Sequence, residues 1–127
     1  MPLPTVLIED SATIRESLIP AMEEFADVQI LAVAETAAEG IAALAKHNGV
    51  WRLAVVDVFL REGNGLEVVR AVQRLGSHQR YVIVLTNYAT AEIRTRAYAA
   101  GADAIFDKST ELEPFLSRCE MISNRYK

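Results

Sequence analysis

A five-stranded parallel α/β sheet, wound with helices on both faces, is the fold this sequence predicts, and three observations predict it. Short runs rich in β-branched residues alternate with stretches whose apolar residues recur at helical spacing. The alternation repeats about every twenty-odd residues, with Gly, Asn or Ser between the elements. The strand runs are apolar throughout, as strands buried on both faces require. Alternating βα units connect through right-handed crossovers, so five of them build an open doubly wound sheet and not a closed barrel.

The first strand is read at Thr5–Ile8 and the first helix at Ala12–Phe25, where Pro20 removes one hydrogen bond and bends the helix. A second strand, Gln29–Val33, leads to a helix at Ala37–His47, entered through the T-x-x-E capping box of Thr36 and Glu39. Ile41, Leu44 and Ala45 share one face of that helix. The third strand is Leu53–Val56, and an Asn64-Gly65 turn precedes a helix at Leu66–Leu75 with Gly76 at the αL C-cap position. Tyr81–Leu85 is the fourth strand, and the helix Ala91–Ala100 after it ends at Gly101, a second αL cap. Ala104–Phe106 is the fifth strand and Leu112–Asn124 the last helix, with Pro114 in its first turn, where most backbone donors are unpaired anyway. Residues Ser123 to Lys127 read as a loose end.

The 127 residues, 51% of them hydrophobic, suit one compact domain burying roughly two-thirds of its unfolded surface. Residues 1–127 are therefore expected to be one domain, with no second, output domain. Seventeen acidic against thirteen basic residues give a net charge of −4, and the absence of a dense Lys/Arg block argues against direct nucleic-acid contact. The lone Cys119 has no internal disulfide partner, and neither a CxxC nor a His/Cys cluster is present; a reducing compartment and a packed thiol are expected. His47 and His78 lack metal-binding or catalytic companions and read as surface histidines. Apolar runs such as Ile30–Ala34 fall far short of the ~18 residues a bilayer span needs, and Met1–Thr5 carries no signal-peptide pattern. A cytoplasmic protein without membrane insertion is expected.

In a doubly wound sheet, chemistry gathers at the carboxyl ends of the strands. Here the first strand ends in Glu9-Asp10, the third in Asp57, the fourth in Thr86-Asn87 and the fifth in Phe106-Asp107-Lys108. Carboxylates ~5 Å apart repel by ~3 kcal/mol per pair at an effective dielectric near 20. A hard divalent cation, Mg²⁺ or Mn²⁺, relieves that repulsion and leaves coordination positions for phosphoryl oxygens. Lys108 then offers a compact cation and Thr86 a hydroxyl donor. Those groups suit phosphoryl transfer to a carboxylate. Individually, Thr86 could simply cap or end a strand and Glu9 lie in solvent; the constellation is what favours chemistry.

The segments Val6-Leu7-Ile8-Glu9-Asp10, Val55-Val56-Asp57 with Gly63-Asn64-Gly65-Leu66-Glu67, Leu85-Thr86, and Gly101-Ala102-Asp103 leading to Lys108 resemble the receiver domains of two-component response regulators. The resemblance spans essentially the whole chain, and the ordered set is far more specific than any one piece. It implies a flavodoxin-like (βα)5 fold with strand order 2-1-3-4-5. It implies that Asp57 accepts a phosphoryl group from a histidine kinase or phosphotransfer protein. Asp10 and Asp57 would hold Mg²⁺, with Glu9 directly or through water and the Phe59 backbone carbonyl completing the set. Thr86 and Lys108 would bond phosphoryl oxygens, and the fourth helix, fifth strand and fifth helix would rearrange for a downstream protein partner. The chain would then be no enzyme beyond its own phosphorylation and slow dephosphorylation.

Several positions depart from the family's pattern. Glu9 replaces the commoner Asp, which brings its carboxylate nearer the ion. Ile105 stands where Phe or Tyr is usual; it is read as an exposed strand residue and predicts an altered switch, while Phe106 points the other way into the core. Ser109 replaces the usual proline after the lysine, so the Lys108-Ser109 bond is expected trans, a non-proline cis bond costing ~3 kcal/mol. Asn87 is bulkier than the residue common there. Phe59 and Tyr88, two positions beyond Asp57 and Thr86, occupy the places that govern water's access, and two rings there predict slow dephosphorylation. Arg94, Arg96 and Tyr98 read as a solvated face or a partner-docking surface.

Two other classes compete. One is a receiver-like adaptor that binds its partner regardless of phosphorylation. The other is a haloacid-dehalogenase-type phosphatase, which wants a second Asp two residues after the nucleophile, where this chain has Phe59. Flavin binding as in a flavodoxin is disfavoured because Glu9-Asp10 replaces a Ser/Thr/Gly phosphate loop.

Overall fold

A computed structural model describes residues 1–76 and 79–127; the reading of His78 as a surface residue lies outside the described residues. The elements run β1 (Leu3–Ile8), α1 (Ala12–Ala26), β2 (Val28–Ala34), α2 (Ala37–Lys46), β3 (Leu53–Val56), α3 (Gly65–Val72), β4 (Tyr81–Thr86), α4 (Ala91–Ala100), β5 (Ala104–Asp107) and α5 (Leu112–Tyr126). All strand pairs are parallel, in the order β2-β1-β3-β4-β5. This is the five-stranded doubly wound fold expected from the alternation, in the order the resemblance implied.

The two-residue period of the strands divides the core into two layers. Val6, Ile8, Ala54, Val56, Val82, Val84 and Ile105 face α2, α3 and α4. Leu7, Val55, Ile83, Leu85 and Phe106 face α1 and α5, where Phe115, Cys119 and Ile122 complete the layer. Cys119 is the packed thiol expected, and burial pushes its pKa up to about 12. Phe106 points where the period puts it, but Ile105 corrects the expectation of an exposed residue. It is 3% exposed because α4 closes over that side of β5.

Other elements differ from the sequence reading for identifiable reasons. Strand β2 is an edge strand and is only partly covered, with Val33 exposed; a register shift opposite Thr5/Val6 places one extra β2 residue in the pairing. Helix α3 ends at Val72, earlier than read, and Asn64 is its N-cap, with Glu67 closing a capping box. At α2 the Thr36 hydroxyl accepts the Glu39 N–H, but Glu39 turns back to the Glu35 N–H, so only half of the predicted box forms. The C-terminus is not loose: α5 runs to Tyr126, Ser123 is buried with its hydroxyl on the Asp27 carbonyl, and Lys127 pairs with Asp27 at 2.6 Å. His47 is half-buried at the C-cap of α2. Pro20 and Pro114 lie within α1 and α5 as read, Gly101 caps α4 at φ 115°, and no cis peptide bond occurs among the described residues, so Lys108-Ser109 is trans.

Candidate functional site

Each acidic residue arrives at the carboxyl edge on a buried strand. Glu9 and Asp10 follow β1, Asp57 follows β3, and Lys108 follows β5. The backbone N–H groups of Glu9 and Asp57 remain in the sheet, donating to the Ala34 and Ile8 carbonyls at 2.9 and 3.0 Å. Thus the strands hold the side chains in place up to the point where the chain leaves them. Opposite, α3 begins hard against Asp57: a Cβ on Gly65 would lie 1.9 Å from the Asp57 carbonyl oxygen. Only glycine permits that approach, and the Gly65 N–H closes it with a 2.8 Å bond to the Val58 carbonyl.

Glu9, Asp10 and Asp57 each offer an oxygen, all within 4.8 Å of one another. Glu9 is 2% exposed and Asp57 8%. Lys108 Nζ bridges two of the three, bonding Asp57 Oδ2 at 2.8 Å and Glu9 Oε1 in a short contact. The other Asp57 oxygen, Oδ1, is buried without a hydrogen-bond partner among the described residues. An unpaired buried carboxylate oxygen costs ~1–3 kcal/mol or more, so this atom is built for a partner from outside the chain. Three hard oxygen donors, one of them on the carboxylate that carries the orphan atom, fit a Mg²⁺-type ion.

Burial raises the pKa of Glu9 above the ordinary glutamate value, against the opposing pull of the Lys108 ammonium and the Ser11 N–H. Burial alone would depress Lys108, but its hydrogen bonds to Asp57 and Glu9 outweigh that, and its pKa is raised. The lysine stays charged at neutral pH and acts as the internal counter-ion of the cluster.

The structure brings Glu9, Asp10, Asp57, Phe59, Asn87, Tyr88 and Lys108 around one cleft of ≈ 200 Å³. Phe59 and Tyr88 meet edge to face at 5.0 Å, both about half exposed, and form one rim of it. Thr86 and Ile105 do not line the cleft. Thr86 is fully buried and its Oγ1 accepts the Tyr88 N–H at 3.3 Å; Ile105 lies in the core layer that faces α2, α3 and α4.

Two contributors to the site, Ser11 and Arg15, were not singled out in the sequence. The Ser11 N–H donates to Glu9 Oε2 at 3.1 Å while its hydroxyl caps α1, and Arg15 Nη1 holds the Glu9 carbonyl at 2.7 Å. A serine directly after the acidic pair is the signal that could have marked the first. Arg94, read with Arg96 and Tyr98 as a solvated face or a partner-docking surface, also reaches inward to Ala89, Ile105 and Glu111; nothing local in the sequence announces those partners.

The family model for the response regulator receiver domain matches residues 5–120. The chain belongs to that family. Solved structures agree in fold. The response regulator domain of Thermotoga maritima CheB superposes with a TM-score of 0.81 at 15% identity, over 98% of each chain. The BeF3-activated DrrB receiver domain gives 0.79 at 19% identity, over 98% of this chain and 100% of that one. A chain from the CheX-CheY-BeF3-Mg²⁺ complex of Borrelia burgdorferi gives 0.77 at 13% identity, over 93% and 90%. Among curated proteins no sequence matches this chain. Receiver domains as a family bind Mg²⁺ in an acidic pocket and work with histidine kinases, and no helix of the described residues is long and apolar enough to cross a membrane.

Proposed function

We propose that this chain is a phosphoacceptor: Asp57 takes a phosphoryl group from a phosphohistidine of a kinase or phosphotransfer protein. The observation that carries this is Asp57 itself, a buried strand-end carboxylate with one oxygen on Lys108 and the other without a partner. In the transfer an Asp57 oxygen forms the new P–O bond as the P–N bond breaks, and the released imidazole takes up a proton. The result is an acyl phosphate. Glu9, Asp10, Asp57 and the Phe59 carbonyl would hold Mg²⁺, which when bound neutralises charge on the transferring group.

The chain's own residues supply the rest. Lys108 is already within bonding distance of Asp57 and follows charge onto a phosphoryl oxygen by a small movement. Thr86 contributes by turning its hydroxyl from the Tyr88 N–H toward the cleft. The Phe59–Tyr88 pair shields the acyl phosphate from water and slows its loss. Phosphorylation then shifts the population of α4, β5 and α5 toward a form read by a protein partner. Chemistry stops at this self-limited cycle, without turnover of another substrate.

The test is intact-protein mass after incubation with Mg²⁺ and acetyl phosphate. One phosphoryl adduct, abolished by EDTA and by Asp57→Ala, is expected. No adduct on wild type, together with no response to beryllofluoride and Mg²⁺, would overturn the reading in favour of a phosphorylation-independent adaptor.

A further inference from the structure

A receiver that carries Ile105 in place of an aromatic ring needs another way to move a change at Asp57 to its outer face, and one side chain spans that distance. Arg94, in the first turn of α4, donates from Nε to the Ala89 carbonyl at 3.0 Å, from Nη1 to the Ile105 carbonyl at 3.3 Å and from Nη2 to Glu111 Oε1 at 2.6 Å. The same Glu111 oxygen accepts the Asp107 N–H at 3.0 Å, and the Glu111 N–H donates to the Asp107 carbonyl at 2.8 Å. One guanidinium therefore joins the loop before α4, the strand β5 and the turn that carries Lys108. A rigid fork with several donors suits this task, and a lysine ammonium does not. Its hydrogen bond to Glu111 holds that carboxyl below the usual glutamate range, so the pair is ionised at neutral pH. Both side chains are about a third exposed, so screening leaves the geometry, not the charge attraction, as the main contribution.

The loop held by Arg94 is also the loop tied to Thr86. Thr86 Oγ1 accepts the Tyr88 N–H, the Tyr88 carbonyl accepts the Thr90 N–H at 2.8 Å, and Ala89 lies between them. When the Thr86 side chain turns toward a phosphoryl group, the Tyr88 N–H loses its acceptor and the segment is freed to shift. A shift of the Ala89 carbonyl reaches Arg94 directly, while Ile105 and Glu111 hold the guanidinium from the other side. The geometry points to Arg94 and Glu111 as positioning residues that carry the change at Asp57 to α4, β5 and the start of α5. This inference rests on the phosphoacceptor reading above.

Hydrogen exchange of the full chain, with and without beryllofluoride and Mg²⁺, tests it. In wild type, beryllofluoride should alter exchange in residues 87–90, in 91–100 and in 111–115, beyond the turn that Lys108 itself moves. Arg94→Ala should bind beryllofluoride and take up phosphoryl from acetyl phosphate, yet lose the response in 111–115 while keeping it in 87–90. Arg94→Lys should fail to restore that response, as a fork requires, and Glu111→Gln, which retains an oxygen for the Asp107 N–H, should weaken it without disturbing the resting fold. A full wild-type response in 111–115 from Arg94→Ala, or its rescue by Arg94→Lys, would overturn the inference while leaving Asp57 phosphorylation intact. Absence of any beryllofluoride response and of any adduct in wild type would instead remove the phosphoacceptor reading, and this inference with it.

Discussion

Replacing Lys108 by methionine keeps the apolar stem and removes the ammonium that compensates the acidic cluster. At 2.8 Å and an effective dielectric near 20, the Lys108–Asp57 attraction amounts to ~6 kcal/mol before desolvation is charged against it. With the lysine gone, each pair of carboxylates whose oxygens lie within 4.8 Å repels by ~3 kcal/mol. Lys108 and its partners are at most 10% exposed at the side chain, so little of this is screened. Breaking such a pair from one side costs about 3–5 kcal/mol. For a chain of this size 1 kcal/mol is about 4 °C in Tm, so Lys108→Met should melt about 12–20 °C below wild type in EDTA. Two further results are expected in the same thermal melts followed by circular dichroism. Mg²⁺ should raise the Tm of Lys108→Met more than that of wild type, because the ion then relieves repulsion that the lysine no longer offsets. Adding Asp57→Asn to Lys108→Met should recover part of the loss, since it removes one unpaired charge. A Lys108→Met protein that melts with wild type in EDTA and gains no extra stability from Mg²⁺ would refute the counter-ion reasoning.

Replacing Phe59 and Tyr88 together by small polar residues should speed loss of the phosphoryl group by about tenfold, or ~1.4 kcal/mol of barrier, measured as decay of the mass adduct; an unchanged lifetime would dismiss the shielding role of the edge-to-face pair. Gly65→Ala forces a methyl group into the Asp57 carbonyl and should cost about 3 kcal/mol in denaturant unfolding together with loss of phosphorylation, and a variant of native stability would contradict that contact. The pKa of Glu9 is raised by burial, so its contribution to stability is fully present below the unfolded-state value and is lost as pH climbs through the folded one. In EDTA, Glu9→Gln should therefore show a flatter stability profile than wild type as the pH rises above the ordinary glutamate value of 4.5, and parallel profiles would count against a raised pKa.

The strand ends were legible because the polar residues there interrupt apolar runs that have no other reason to stop. Glu9, Asp10, Asp57 and Lys108 each follow such a run, and the parallel order brings all four to one edge. What the sequence hid depends on contacts between distant segments. Ile105 lies on the outermost strand and reads as exposed until α4 is laid over it. The last turn of α5 lacks a strong apolar signal and is held by Asp27, at the far end of α1. Thr86 is expected from its strand end to face the cleft, but the direction of its hydroxyl depends on the Tyr88 N–H, a loop geometry without a residue signature. Arg94 resembled any surface arginine because its partners include two backbone carbonyls, which sequence composition does not display.

The most direct measurement is to locate the phosphoryl group. Protein treated with acetyl phosphate and Mg²⁺, then reduced with borohydride, converts an aspartyl phosphate to homoserine, and peptide mass spectrometry identifies the residue changed. Conversion at Asp57 alone, absent when EDTA precedes the phosphodonor, is the predicted result. Conversion at Asp10 or another carboxylate with Asp57 untouched would contradict it.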